Sequence, residues 1–273
     1  MWWTRWGMSN SAGREPYGFR KIAPRAGVLV ILAGFLLACF AAGAAAEDQA
    51  QLKEILGQAD RARGNLGGVV WAVHIDSVEN GREDLRDLKV QAKGYNFLAT
   101  IVDPAKVRGQ RLLMVDRNMW FMKPGLTKPV PISARQKLVG GVSYGDIAST
   151  NYAEDYVPTQ LPDERVNDQI CYVLDLKAID QKATYDRIKY WIVKEKLLGV
   201  KAEYYTVSGK MLKTALFEFA NQVELEGRQQ SFISKMSITD AVTVTNTAVL
   251  NFRDAALREV PDSILDVNLL MSR

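Results

Sequence analysis

The segment YNFLATIV at residues 95–102 carries the clearest strand pattern of the chain. Its apolar side chains recur at every second position, starting from Tyr95 and ending at Ile101. Period-two alternation places such side chains on one face of a pleated strand. The turn residues Asp103-Pro104 close the run. The segment therefore predicts a β-strand with one apolar face.

Similar runs occur on both sides of this segment. Upstream, residues 69–75 read VVWAVHI and are β-branched and aromatic, as strands are. Downstream, two short apolar runs flank Asp116-Arg117, which predicts a hairpin. The predicted strands are residues 69–75, 88–94, 95–102, 111–115, 118–122, 169–176, 188–193, 200–207, 213–219, 231–238 and 242–252.

The predicted helices are short and lie near the ends of this series. Residues 48–63 carry an amphipathic helical stripe, and residues 263–270 predict a final short helix. Residues 136–163 have no sustained period and predict a long loop with one helical turn near 144–150. Ten or eleven strands without a βαβ rhythm predict a mainly β (α+β) domain with a single antiparallel sheet, strongly curved or partly closed.

The first 46 residues have the pattern of a secretory signal peptide. Basic residues precede an apolar run, and small residues follow as far as Ala46, so cleavage is expected before Glu47. The predicted domains are thus a signal peptide, 1–46, and one exported domain, 47–273, located in the periplasm. Two alternatives remain at this stage, a retained membrane anchor and a chain anchored through a lipidated Cys39.

The net charge of +4 belongs to the leader. Residues 1–46 carry five basic residues and one acidic residue, so residues 47–273 have a net charge of zero. Nucleic-acid binding needs a surplus of Lys and Arg, and so does a polybasic membrane surface. We therefore expect neither on the exported domain.

Residue types that carry catalysis are scarce. His74 is the single histidine and lies within a strand, and Cys171 is the single cysteine after residue 46. Cys171 is expected to be a small buried apolar residue. No nucleophile elbow, phosphate loop, dinucleotide fingerprint or metal-binding spacing occurs in the sequence. We therefore predict that the protein is not an enzyme, with no catalytic residue, no metal and no cofactor.

Apolar strand faces are abundant and have two interpretations. They form either an ordinary core or a concave cavity that receives an acyl chain. The candidate cavity residues are Trp71, Val73, Ile75, Phe97, Trp120, Met122, Tyr190, Phe217 and Phe219.

Several motifs resemble those of the outer-membrane lipoprotein-sorting proteins with a LolA-like fold. DPAKVRGQRLL at residues 103–113 resembles their P-x-x-V-K-G-T-x-L-L stretch, and MWFMKP at residues 119–124 resembles their W-L-Y-L-P strand. GVSYGDI at residues 141–147 is similar to their D-F-S-Y-E-D-L loop, and residues 185–213 follow their Y-x-x-V-x-x-W-V … F-Y-x-x-x-G-K pattern. The similarity extends over nearly all of residues 47–273.

This resemblance implies an incomplete β-barrel, LolA/LolB-like, whose concave face is covered by short helices. It implies a monomeric periplasmic carrier that shields the acyl chains of a lipoprotein or lipid for transfer toward the outer membrane. A possible partner is an inner-membrane transporter of RND type. The alternative is a sensor or accessory subunit of such an exporter, without carrier activity. A carrier needs moving parts, and the candidates are Gly140, Gly141 and Tyr144 together with the terminal helix.

Overall fold

A computed structural model describes residues 48–271 of the chain, all within one compact unit. The predicted signal peptide, its cleavage point between Ala46 and Glu47, and Cys39 lie outside the described residues. The first described element is a helix over residues 48–61, α1. Its apolar stripe is buried, and it is followed by Gly64 at a φ of 100°, a conformation that favours glycine. The prediction of an amphipathic helix is confirmed.

Seventeen strands make up most of the described chain, and every strand pairing is antiparallel. The first eight are β1 (Val69–Glu79), β2 (Arg82–Lys93), β3 (Asn96–Asp103), β4 (Arg111–Val115), β5 (Asn118–Met122), β6 (Val130–Ile132), β7 (Lys137–Val139) and β8 (Val142–Ser143). The remaining nine are β9 (Tyr156–Val166), β10 (Gln169–Ala178), β11 (Arg187–Val193), β12 (Gly199–Tyr205), β13 (Met211–Glu218), β14 (Asn221–Leu225), β15 (Arg228–Phe232), β16 (Lys235–Asp240) and β17 (Thr247–Leu257).

Thirteen of these strands form one sheet, in the order β6-β5-β4-β3-β2-β1-β17-β16-β13-β12-β11-β10-β9. Two meanders, β1 to β6 and β9 to β17, are joined by the pairing of β1 with β17. The hairpins β7–β8 and β14–β15 stand apart from the sheet. The prediction of a mainly β fold with a single antiparallel sheet, consistent with an incomplete barrel, is confirmed.

The sheet stays open because its two outer strands do not pair with each other. The short edge strand β6 contains Pro131, and the opposite edge strand β9 contains Pro158 and Pro162. Proline lacks the N–H that a neighbouring strand would need, so it is tolerated at a sheet edge and blunts it. The Pro158 carbonyl instead accepts a hydrogen bond of 2.9 Å from the Gln49 side chain of α1.

The long loop predicted for residues 136–163 is wrong, although the helical turn predicted near 144–150 is confirmed. This segment contains the hairpin β7–β8, a 3-10 turn at Tyr144–Asp146, the short helix α2 (Tyr152–Asp155) and the first part of β9. The prolines of β9 suggested a loop, but β9 is an edge strand that needs hydrogen bonds on one side only. Its pairing with β10 shifts register between Leu161 and Glu164, where Pro162 lies.

Three further predictions needed correction at their boundaries. The predicted strand over 88–94 begins six residues earlier, at Arg82, because the mostly polar residues 82–87 also pair with β1. The predicted strand over 231–238 is divided between β15 and β16, because β14 and β15 form a separate hairpin. The predicted strand over 242–252 begins five residues later, at Thr247. Val242 and Val244 lie instead in the turn before β17 and are about 70% exposed. Their β-branched side chains are typical of strands, which is why the sequence predicted one here.

The C-terminal segment also differs in detail from the single helix predicted. It forms a 3-10 turn at Asp262–Ile264 and then a short helix, α3 (Val267–Met271). Its residues Leu265 and Leu270 are buried against the side chains of Leu98 and Leu113 on the sheet. The segment therefore covers one outer part of the sheet.

Candidate functional site

The inner face of the sheet is the side that α1, the segment 133–156 and the hairpin β14–β15 cover. We call these three elements the cover. They bury a continuous apolar cluster with the inner-facing residues of nearly every sheet strand. From the cover come Leu56 of α1, Tyr152 of α2 and Phe232 of β15, of which Leu56 and Phe232 are 0% exposed.

The structure brings seven of the nine candidate cavity residues into this cluster. Trp71, Val73 and Ile75 lie side by side along β1, as period-two alternation predicts. The other strands contribute a second group: Phe97, Tyr190, Phe217 and the half-buried Phe219.

The remaining two candidates, Trp120 and Met122, lie on the opposite face of the sheet. They pack with the C-terminal segment in a separate cluster, while their neighbours Met119 and Phe121 face inward. The run NMWFM of β5 is apolar on both faces, because both faces of this strand are covered. Its sequence therefore gave no sign of which face is the inner one.

Buried polar groups attach the cover to the sheet. Asp146 at the 3-10 turn pairs with Lys213 of β13, with Oδ2 2.5 Å from Nζ. Asp146 Oδ1 accepts a hydrogen bond of 2.7 Å from the Tyr185 hydroxyl. Lys213 also donates to the Gly141 carbonyl at 2.7 Å. Because Asp146 and Lys213 are almost fully buried, this ion pair is screened little by water.

The candidate moving residues lie around this ion pair. Gly140 has a φ of 51°, and a Cβ there would stand 2.7 Å from the Ser77 Cβ of β1. Gly141 approaches Ile238 of β16, and Tyr144 packs half-buried against the inner cluster. The structure thus places all three at the contact between β7–β8 and the sheet. Their mobility stays a prediction.

A second polar contact ties α1 to the helix α2. Asp60 Oδ2 accepts a hydrogen bond of 3.0 Å from the Ala153 N–H. Burial raises the pKa of Asp60 from 3.8 to about 6, and the hydrogen bonds only partly oppose this rise. Close by, Arg63 Nη1 donates to the Tyr152 hydroxyl at 3.3 Å. Asp60 and Arg63 are only 2% and 4% exposed.

Two buried hydrogen-bond donors on the inner face lack a partner among the described residues. They are the indole Nε1 of Trp71 and the hydroxyl of Tyr204 on β12. Unpaired buried donors are uncommon in folded proteins. Sequence reasoning named Trp71 as an apolar cavity residue only. It missed Tyr204, Asp60, Arg63, Asp146 and Lys213, because burial of a polar side chain depends on contacts between distant segments.

The histidine and the cysteine of the described chain lie outside this polar layer. His74 of β1 contacts Asp87 of β2 at 2.9 Å and is partly exposed. Cys171 is fully buried in a small outer cluster with Val173 and Trp191, as expected of a small apolar residue. Burial raises the pKa of the Cys171 thiol, which disfavours the reactive thiolate.

Within residues 48–271, no set of three or more His, Cys, Asp and Glu side chains is arranged to hold a metal ion. In the same range, none of the helices has the length and apolar character to cross a bilayer.

Comparisons with known proteins agree with this geometry. A LolA superfamily protein from Nitrosomonas europaea is 34% identical, covers 79% of this chain and 97% of its own, and superposes with a TM-score of 0.71. A family model described as that of an uncharacterized protein matches residues 94–272. No protein of curated function matches the chain.

Two more distant structures share the fold alone. An outer-membrane lipoprotein-sorting protein domain from Vibrio parahaemolyticus is 21% identical, covers 80% of this chain and 97% of its own, and has a TM-score of 0.68. A DUF1329 family protein from Desulfovibrio piger is 18% identical with the same coverages and a TM-score of 0.67.

Proposed function

Because the chain belongs to the LolA superfamily, we propose that residues 47–273 form a periplasmic carrier that shields acyl chains of a lipoprotein or lipid for transfer toward the outer membrane. The acyl chain would occupy the inner face when the cover moves. The proposal assigns no catalytic residue, and it includes export through a signal peptide over residues 1–46.

The observation that carries this proposal is the way in which the inner face is closed. The sheet does not close on itself, so its apolar inner face is buried by three separate elements. Two of them, α1 and the segment 133–156, meet their neighbours through buried polar contacts as well as apolar ones. When such elements move away from the sheet, its apolar inner face is exposed as a groove.

The physical need for shielding is large. Each methylene buried from water contributes roughly 0.8 kcal/mol, so an unshielded acyl chain would not cross an aqueous compartment. The same term gives a carrier its affinity, and the energy of opening the cover lowers that affinity enough to allow release.

A matched pair of substitutions tests whether the inner face binds acyl chains. Val73→Thr and Val173→Thr make the same change at buried strand positions on opposite faces. We expect Val73→Thr to weaken binding of a neutral fluorescent acyl ester about threefold or more, because a hydroxyl then faces the chain. Val173→Thr should bind the ester as the unsubstituted protein does. Equal affinities for all three proteins would contradict the proposal.

Native mass spectrometry of the protein purified from its own periplasm identifies the cargo. We expect a chain beginning at Glu47 with a stoichiometric acylated ligand. An empty protein in a stable complex with an inner-membrane transporter of RND type would instead favour the accessory-subunit alternative. A chain beginning at a diacylated Cys39 would favour membrane anchoring.

A further inference from the structure

Arg63 carries a buried charge beneath the cover. It lies in the turn that ends α1 and is 4% exposed. A guanidinium keeps its proton in a protein, so the charge is buried with the side chain. Arg63 takes part in none of the ion pairs of 4.0 Å or less that residues 48–271 form.

Neutral groups surround this guanidinium. Its Cζ lies 4.5 Å from the centre of the Phe217 ring and 5.7 Å from that of the Tyr152 ring. The Tyr152 hydroxyl accepts its one geometrically defined hydrogen bond within the described chain, at 3.3 Å. Ring faces attract a cation but do not balance its charge. A buried cation without a counter-anion destabilises the folded state.

Neither nearby buried carboxylate serves as the partner of Arg63. Asp60 lies three positions earlier and accepts the Ala153 N–H, but its carboxylate forms no ion pair of 4.0 Å or less with Arg63. Burial has the largest effect on the pKa of Asp60 and raises it, while the Arg63 charge has a smaller effect and lowers it. Asp146 is already bound by Lys213 and Tyr185.

A second donor beside Arg63 is poorly satisfied. Tyr204 is 0% exposed, its hydroxyl has no hydrogen-bond partner of good geometry among the described residues, and it interacts electrostatically with Arg63. A cation without a counter-anion and a hydroxyl without a hydrogen bond of good geometry therefore share one buried environment. Anionic oxygens satisfy both kinds of donor, and guanidinium binds them in a bidentate way.

We propose that Arg63 anchors an anionic oxygen group, a carboxylate or a phosphate, at the end of an acyl chain bound beneath the cover, with the Tyr204 hydroxyl as a second donor. The inference rests on the proposed carrier function and adds the charge of the cargo to it. The carrier would then prefer anionic acyl ligands over neutral ones of equal chain length.

The test compares an anionic acyl ligand with neutral ligands of equal chain length. Laurate, methyl laurate and dodecanol displace a neutral fluorescent alkyl probe from the delipidated protein. We expect laurate to bind about tenfold or more tightly than methyl laurate, because a charge-assisted pair forms out of water. Inorganic phosphate should not compete at the same concentrations, since it lacks the chain.

Two substitutions in the same turn of the chain separate charge from structure. Arg63→Met removes the buried charge and keeps an apolar side chain, and Arg61→Met removes an exposed charge two residues away. We expect Arg63→Met to bind laurate no better than methyl laurate. Arg61→Met should keep the preference for laurate.

Three results would overturn the inference. Equal affinities for laurate and methyl laurate in the unsubstituted protein would do so even if Arg63→Met failed to fold. An equal loss for both ligands in Arg63→Met would assign Arg63 a purely structural role. Competition by phosphate at the affinity of laurate would remove the need for an acyl chain. Binding of neither lauryl ligand would instead overturn the carrier function itself.

Discussion

Asp60, Arg63, Asp146 and Lys213 are each no more than 5% exposed, although they lie beside residues of the apolar inner cluster. At the scale of single residues, such groups are costly unless they are hydrogen-bonded or paired. Asp146 and Lys213 neutralise each other, whereas Asp60 is held by backbone N–H groups. The contacts that hold the cover in place therefore include buried groups whose interactions depend on their ionisation state.

Asp60 predicts a pH dependence of stability. Its folded pKa of about 6 lies above the ordinary 3.8, so the folded state binds the proton more tightly than the unfolded state does. This contribution to stability is full below about pH 4 and is lost as the pH rises through 6. It amounts to about 3 kcal/mol, since each unit of pKa difference between the folded and unfolded states corresponds to about 1.36 kcal/mol.

The substitution Asp60→Asn isolates this contribution, because an amide oxygen can still accept the Ala153 N–H. We expect the free energy of unfolding of the unsubstituted protein, minus that of the variant, to fall between pH 4 and pH 7. Urea denaturation at several pH values measures this difference. A difference that does not change with pH would refute the prediction.

At the scale of elements, the hairpin β7–β8 and the 3-10 turn that follows it fit closely against their neighbours. A Cβ on Gly140 in the hairpin would stand 2.7 Å from the Ser77 Cβ of β1. A Cβ on Gly145 in the turn would stand 2.2 Å from the Thr184 Oγ1, in the segment between β10 and β11. These positions admit no larger side chain without a shift, so they constrain how the hairpin and the turn dock.

A reversible cross-link tests whether movement of the hairpin admits cargo. A Cβ on Gly141 would lie 3.4 Å from the Cγ2 of Ile238, and a cysteine at position 238 carries its sulfur at such a γ position, so the two cysteines are close enough to test for a disulfide. We expect the oxidised double variant Gly141→Cys with Ile238→Cys to take up the acyl probe about tenfold more slowly, since the cover cannot open. Its reduced form is the control. Undiminished uptake by the oxidised form would exclude the hairpin as the moving part.

At the scale of the whole molecule, an open thirteen-stranded sheet has two edges that another chain could extend. Pro131 on β6 and Pro162 on β9 interrupt these edges, and both are exposed. Exposed edge strands otherwise favour association between molecules. A carrier that must release its cargo benefits from remaining a single chain.

Replacing these prolines should promote self-association. We expect the unsubstituted protein to be a monomer and the double variant Pro131→Thr with Pro162→Thr to form dimers that increase with concentration, because new N–H groups become available at the edges. Light scattering after size-exclusion chromatography measures the mass. Pro124→Thr, in the connector before β6, is the control, and a monomeric double variant would contradict the role of the edge prolines.

The strand pattern of residues 69–75 and 95–102, the amphipathic helix α1 and the buried Cys171 were evident from the sequence by itself. Each depends on the periodicity or chemistry of neighbouring residues, which the chain carries locally. The series of strands without a βαβ rhythm predicted a single antiparallel sheet, strongly curved or partly closed. The family motifs at residues 103–113 and 119–124 specified it as an incomplete barrel.

Tertiary structure alone decided three other features. The edge position of β9 made its prolines tolerable, and coverage of both faces of β5 placed Trp120 and Met122 opposite the other candidates. The fold also buried Arg63 beside Tyr152, 89 positions away in the chain. The physical reason is common to all three: solvent exposure and hydrogen-bond partners are set by segments distant in sequence, whereas periodicity is set by neighbours.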